Sequence, residues 1–221
     1  GFGNSLLVTC AFIAIVVPAQ VLLGLGAAAM LARGLPGTGV FRALYVIPWI
    51  CSPLAVAVLW RWILAPTDGV ISTVLGRRIE WLTDPGLALP VVSAVTVWTN
   101  VGYVALFFLA GILAIPPQVH AAARIDGATS WQRFWRITVP MLRPTFFFVS
   151  VTGVVSAAQV FDTVYALTGG GPAGRTDLVA HRIYAEAFGA AAIGRAAVMA
   201  LVLFLVLVGA TVVQHLYFRN R

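Results

Sequence analysis

The chain contains no lysine, and all 14 of its basic residues are arginine. Without lysine there is no GxxxxGK[ST] phosphate loop, so energy for any active process has to come from elsewhere. Charge of either sign is scarce: 10% of 221 residues, against about 25% in soluble domains, while 61% are hydrophobic. A soluble globular domain is excluded, and an integral membrane protein is what remains. Only two cysteines occur, Cys10 and Cys51, both in apolar runs without CxxC or histidine spacing. They form no disulfide or metal framework and are expected to be small core residues. His120, His181 and His215 stand apart from one another, and no nucleophile and base pair is recognisable. Asp162 is the only acid deep in the apolar stretches, whereas ion-coupled carriers more often hold several intramembrane acids or a histidine relay.

What the chain does have is apolar length. Runs of the ~20 residues a bilayer requires cover 6–31, 40–64, 87–115, 141–167 and 190–217, which predicts five spans. Glycine and proline inside them, including Pro18, Gly24, Pro48, Pro53, Gly102 and Gly153, are tolerated where helices pack on helices. Between the third and fourth runs lies the one long polar passage, PQVHAAARIDGATSWQRFWRITVP over 117–140. It reads as two short helices about a turn. Pro117 suits a first helical position, Ala121, Ala122 and Ala123 are strong helix formers, and Asp126-Gly127 stops the helix. Thr129 and Gln132 then form a capping box, Trp131, Phe134 and Trp135 share a face, and Pro140 ends the element. Such a knob, rimmed by Arg124, Arg133 and Arg136, suits a groove on a partner protein, although an ordinary loop has the same composition.

The order of these residues resembles the EAA loop of permease subunits of binding-protein-dependent ABC importers, especially the maltose and glycerol-phosphate type sugar permeases. Ala122, Ala123, Gly127, Ile137 and Pro140 fall at that pattern's spacings, with Val139 for Leu and Asp126 before the glycine. Ala121 stands where the pattern has Glu, so a salt bridge from that position to an ATPase is missing. The resemblance extends along the chain in order: WRWILAPTDG over 60–69, Trp81 with Asp84-Pro85, Trp98, Ala114-Ile115-Pro116, Phe161-Asp162, Leu167-Thr168 before Gly170-Gly171-Pro172, and Tyr184 with Ala187-Phe188.

The resemblance implies an all-α, polytopic transmembrane bundle forming one domain over 1–221, with a cytoplasmic coupling loop at 117–140 and external loops at 66–86 and 168–189. Partners would be a second homologous permease subunit, two ATPase subunits that bind ATP and Mg, and an external sugar-binding protein. Neither cofactor nor metal is expected in this chain. With the knob inside, Asp68, Glu80, Asp84, Asp177 and Glu186 lie outside, and nearly all the +7 net charge sits on the cytoplasmic face, where it meets anionic lipid rather than nucleic acid. The arginines lean inward only slightly, eight to six: Arg33, Arg42, Arg124, Arg133, Arg136, Arg143, Arg219 and Arg221 inside, against Arg61, Arg77, Arg78, Arg175, Arg182 and Arg195 outside. The first visible span would start outside, so a sixth span is expected upstream.

A sugar pathway needs hydroxyls, amides and aromatic faces on more than one helix. The third run supplies Thr96, Thr99, Asn100 and Tyr103 at i, i+3, i+4 and i+7, and the fourth supplies Ser156, Gln159 and Thr163 on a comparable stripe. Such side chains also serve as interhelical glue. The family's sugar-contacting positions fall at Thr96, Thr99, Asn100 and Tyr103, and around Ser156, Ala157, Gln159 and Val160. Ala157 and Val160 are apolar where the maltose permease carries amides. The expected cargo is a disaccharide such as trehalose or maltose, with glycerol phosphate or a polyamine as the alternative in the same architecture and an ion-coupled secondary transporter as a more distant one.

Overall fold

The structure is a computed structural model that describes residues 1–32 and 38–219, without the side chains of residues 38, 41, 42, 218 and 219. The glycine- and proline-rich link over 33–39, whose composition reads as a turn, lies largely outside the described residues, as do Arg33 and Arg221 and the side chains of Arg42 and Arg219. Among the described residues there are helices and no strand: α1 (Phe2–Leu31), α2 (Thr38–Ile50), α3 (Pro53–Ile63), α4 (Val70–Leu75), α5 (Ala88–Leu113), α6 (Pro117–Ile125), α7 (Ser130–Arg133), α8 (Val139–Met141), α9 (Arg143–Ala158), α10 (Asp162–Leu167), α11 (Val179–Tyr184) and α12 (Ile193–Arg219). Single π-helical turns, Phe134–Thr138 and Ala185–Gly189, follow α7 and α11.

Helices α1 and α5 run parallel and form the axis of the bundle. Phe12 and Val16 share one buried cluster with Val92 and Val95, while Leu25 and Ala28 share another with Val104 and Phe108. Lipid is as apolar as these side chains, so the axis is held by close van der Waals contact and hydrogen bonds rather than by removal of surface from water. Small residues permit that contact. A side chain on Gly102 would overlap the Tyr45 carbonyl where α2 crosses α5. Helix α9 lies against α1, with Gly153 beside Gln20 and Val17. Helix α12 is the outlier: Leu201, Phe204 and Leu205 are all more than half exposed, and little of it packs within the chain.

Three of the described helices, α1, α5 and α12 over Ile193–Tyr217, are long and apolar enough to cross a membrane. Two further spans exist only as bent pairs, and counting each as one gives the expected five. The second run does not form the continuous span its composition suggested. It bends by 103° between Ala43–Ile50 and Pro53–Ile63. Pro53 opens α3 with no N–H to continue the ladder, and Ser52 before it takes an extended ψ of 125°. The fourth run is interrupted as well: α9 ends at Ala158, and α10 starts at Asp162 and packs on α3.

The knob does not stop at Pro140. That residue lies inside α8, and the chain turns by 64° between Ser130–Met141 and Arg143–Ala158. The π turn just before Pro140 shifts the hydrogen-bond register where the proline offers no donor. Cys10 and Cys51, expected in the core, are both exposed on the surface of the bundle. Apolar composition does not distinguish a core position from a lipid-facing or partner-facing one. Trp81 is partly buried against the cluster that holds Phe12 and Ala57, with its indole Nε1 unpartnered.

Candidate functional site

The break after α9 and the bend before α3 face each other across α5, and a cavity of about 200 Å³ opens between them. Its wall contains Thr96, Thr99 and Asn100 from α5, Ser156 from α9, Gln159 from the break and Thr163 from α10, together with Gln20, Trp49 and Asp162. The two polar stripes read from the sequence therefore meet in one space, although Ser156, Gln159 and Thr163 reach it from an interrupted helix rather than along one continuous face. Tyr103 is not part of the wall; it stacks on Trp49 with ring centroids 5.0 Å apart. Sequence reasoning missed the Gln20 amide on α1 and, among the aromatic residues of the wall, Trp49. Its place between Pro48 and the Pro53 bend was the available signal.

Hydrogen bonding in the wall is asymmetric. Thr96 donates to the Val92 carbonyl (2.9 Å), Thr99 to Val95 (2.9 Å) and the Asn100 amide to Thr96 (2.8 Å), all within α5. Both hydroxyl donors and one of the two Asn100 amide hydrogens are committed to the helix, so the two hydroxyl oxygens keep acceptor lone pairs and Asn100 keeps its carbonyl oxygen and its second N–H. Among the described residues, no protein hydrogen bond engages the side chains of Ser156, Gln159 or Thr163. Such a surface accepts hydroxyl hydrogens on one side and offers amide and hydroxyl donors on the other.

The end of the bundle that carries Gly1, here the loop end, is tied together by Asp177. Its carboxylate accepts from Ser5 (2.9 Å) and from Nδ1 of His181 (2.8 Å), with Arg182 at 3.5 Å. Burial pushes this carboxyl up, but the bonds from His181 and Ser5 and the charges of His181 and Arg182 outweigh it and hold the group below its ordinary value. Asn4 donates to the Gly174 carbonyl, and the Val179 N–H donates to Thr9. Arg182 and Arg195 both pair with Glu186, at 3.3 and 3.2 Å.

At the opposite, knob end, α6 closes with two bonds that satisfy its last carbonyls, Ala128 N–H to Ala123 and Gly127 N–H to Arg124, around a Gly127 φ of +76°. Thr129 and Gln132 make the reciprocal capping box, with Gln132 N–H to Thr129 Oγ1 at 3.3 Å and Thr129 N–H to Gln132 Oε1 at 2.8 Å. Ala123 is buried, Ala121 is half-buried, and Ala122, Asp126 and Pro140 are exposed. The aromatic face divides. Trp131 is 72% exposed, whereas Phe134 packs against the cluster of Leu109 and Leu142.

Residues 20–220 match the family described as binding-protein-dependent transport system inner membrane component. The chain is 34% identical over 226 residues to the sn-glycerol-3-phosphate transport system permease protein UgpA of Agrobacterium fabrum, covering 99% of this chain and 76% of that one. It is 35% identical over 179 residues to the trehalose/maltose transport system permease protein MalF of Thermococcus litoralis, covering 79% and 61%. The fold matches a chain in the crystal structure of a bacterial ABC transporter involved in the import of the acidic polysaccharide alginate, with a TM-score of 0.86 at 24% identity over 99% of this chain and 78% of that chain. A second structure of an alginate ABC transporter, in complex with alginate pentasaccharide-bound periplasmic protein, gives a TM-score of 0.83 at 24% identity over 96% and 75%. A family match over most of the chain and a bundle of apolar helices lead to one conclusion: the chain belongs to the inner-membrane permease family of binding-protein-dependent ABC importers and is a multi-pass membrane protein.

Proposed function

We propose that this permease subunit carries a neutral sugar of about disaccharide size, delivered by an external binding protein, through the cavity between α5, α9 and α10. The observation that supports this most is the union of Thr96, Thr99, Asn100, Ser156, Gln159 and Thr163 around one space whose wall includes Trp49, itself backed by Tyr103. An aromatic face beside hydroxyls and amides is the chemistry that a sugar ring and its hydroxyls require. In this reading the loop end faces outward and the knob faces the cytoplasm. There α6, α7 and the exposed Trp131 engage an ATPase subunit that binds ATP and Mg, and a second permease subunit completes the pathway.

The test is uptake by the complete importer reconstituted in vesicles. Asn100→Leu and Gln159→Leu each remove one hydrogen-bonding group, a loss of roughly 1 to 3 kcal/mol, or about fivefold to over a hundredfold in uptake at limiting sugar. Assembly and sugar affinity of the isolated binding protein stay unchanged. Normal uptake in both variants would remove the cavity from the pathway, and failed assembly would make the polar stripes interhelical glue.

A further inference from the structure

Helix α1 carries three buried polar side chains, and two of them are bonded at the loop end. Ser5 donates to Asp177, and Thr9 accepts the Val179 N–H. The third, Gln20, is 4% exposed, and among the described residues no hydrogen bond engages its amide. A buried amide without a partner destabilises a fold, so its presence calls for a partner that the chain does not itself hold. Gln20 lines the cavity one helical turn beyond Val16, which lines it too, and so adds α1 to the walls formed by α5 and by the break after α9. Helix α9 leaves room for it. A methyl group on Gly153 would sit 2.6 Å from Gln20 Nε2, closer than real carbon contacts come. Gly153 lines the cavity as well, three residues before Ser156 and on the same side of α9. Because this chain alone buries Gln20, a second permease subunit has access to it only where the cavity opens.

We infer that Gln20 is a cargo-contacting residue of the permease: its amide, in the gap that Gly153 leaves, donates to one sugar hydroxyl and accepts from another. This rests on the sugar reading of the same cavity and adds a third helix to it. An amide suits a hydroxyl-bearing cargo because it gives and takes hydrogen bonds at once, as a hydroxyl does, and brings no charge. The same side chain is a poor candidate for interhelical glue, since glue needs a bonded partner on the neighbouring helix and α9 presents a glycine there.

The experiment uses the complete importer with its binding protein, reconstituted in vesicles and supplied with radiolabelled trehalose and, in parallel, maltose. Gln20→Leu keeps most of the side-chain volume and removes both hydrogen-bonding groups. Sugar carried per ATP hydrolysed should fall about five- to hundredfold. The complex should still assemble and melt no lower than the wild type, because an unpartnered buried amide gives way to an apolar group. Gly153→Ala should push the amide aside and lower the same ratio by a smaller factor. On the Gln20→Leu background, whose side chain ends one atom short of that contact, it should add nothing. A lower melting temperature in Gln20→Leu shows the amide already bonded within the assembly and overturns the contact, as does an unchanged ratio of sugar to ATP. Asn100→Leu and Gln159→Leu in the same vesicles separate the two readings. If they lower uptake and Gln20→Leu does not, the Gln20 contact alone is lost. If none of the three lowers it, or the wild type carries neither sugar, the cavity reading falls and the contact with it.

Discussion

The two ends of this bundle use their polar groups in different ways. At the loop end, Asp177, Ser5, His181 and Arg182 satisfy one another, and Asn4 and Thr9 fasten the chain on either side of Asp177 to α1. At the knob end the helix caps are complete, yet Trp131 and Ile125 stand 72% and 87% exposed. Local hydrogen bonds shape the knob but do not cover it. The loop end closes its polar contacts inside the chain while Val74 and Phe188 stay 80% and 76% exposed, and the knob end completes its helix caps without any such polar tie to the rest of the bundle among the described residues.

The largest effect should come from breaking the closed end. Asp177→Ala leaves the Ser5 hydroxyl, His181 and Arg182 without their acceptor, and a buried charge network broken on one side costs roughly 3 kcal/mol even after allowance for the partial exposure of Arg182. The purified complex should melt several degrees lower, with faster proteolysis within 168–178; an unchanged melting temperature would mean that the junction contributes little. At the knob end the contrast lies between neighbours. Trp131→Ala should leave the melting temperature of the permease alone but weaken ATPase co-purification by about 2 kcal/mol, near thirtyfold. Phe134→Ala should do the reverse and lower intrinsic stability by a similar amount, because its ring packs inward.

Smaller effects sharpen the contrast. Gly127→Val meets open space, so its cost is the ~1 to 2 kcal/mol of a positive φ in a side-chain-bearing residue. Reduced sugar-stimulated ATP hydrolysis with normal membrane insertion is the expected outcome. The Asp177 carboxyl is held below its ordinary value, so its stabilisation is complete above the ordinary carboxylate range and is lost only as pH falls through the depressed value. Proteolysis of 168–178 should therefore stay slow at mildly acidic pH and accelerate below the ordinary range, an acceleration that Asp177→Asn abolishes. The smallest effect is Ala121→Glu, expected to be neutral or slightly favourable for ATPase binding, because that position is half-buried beside an open groove.

The comparison also explains what could be read from the sequence. The Gly127 stop and the Thr129 and Gln132 capping box depend on residues three or four apart, and both were legible. The stripe of Thr96, Thr99 and Asn100 was legible for the same reason, since α5 is unbroken. The interruption after Ala158 was not. No glycine or proline stands between Ala157 and Phe161, and the break is stabilised by α10 lying on α3, a contact between residues a hundred positions apart. Thr163 thus reaches the cavity by a route that periodicity could not reveal. Trp49 escaped notice because its position depends on the 103° bend at Pro53. The exposure of Cys10 and Cys51 was equally hidden, since a bilayer gives outward-facing and inward-facing positions the same apolar composition.

The 64° turn at Leu142 has a mechanical consequence. Leu142 is fully packed in the core, with the knob's second helix on one side and α9 on the other, so the bend between the two arms is centred on a buried residue. At 1.5 Å per residue, the 16 residues of α9 make an arm of roughly 24 Å, and a rotation of about 5° at the bend displaces its far tip by roughly 2 Å. That tip is Ala157, Ala158 and Gln159, beside the cavity. A displacement of that size exceeds the tolerance of a hydrogen bond, so a tilt of about 5° in α9 would be enough to break a contact made across the cavity from its tip.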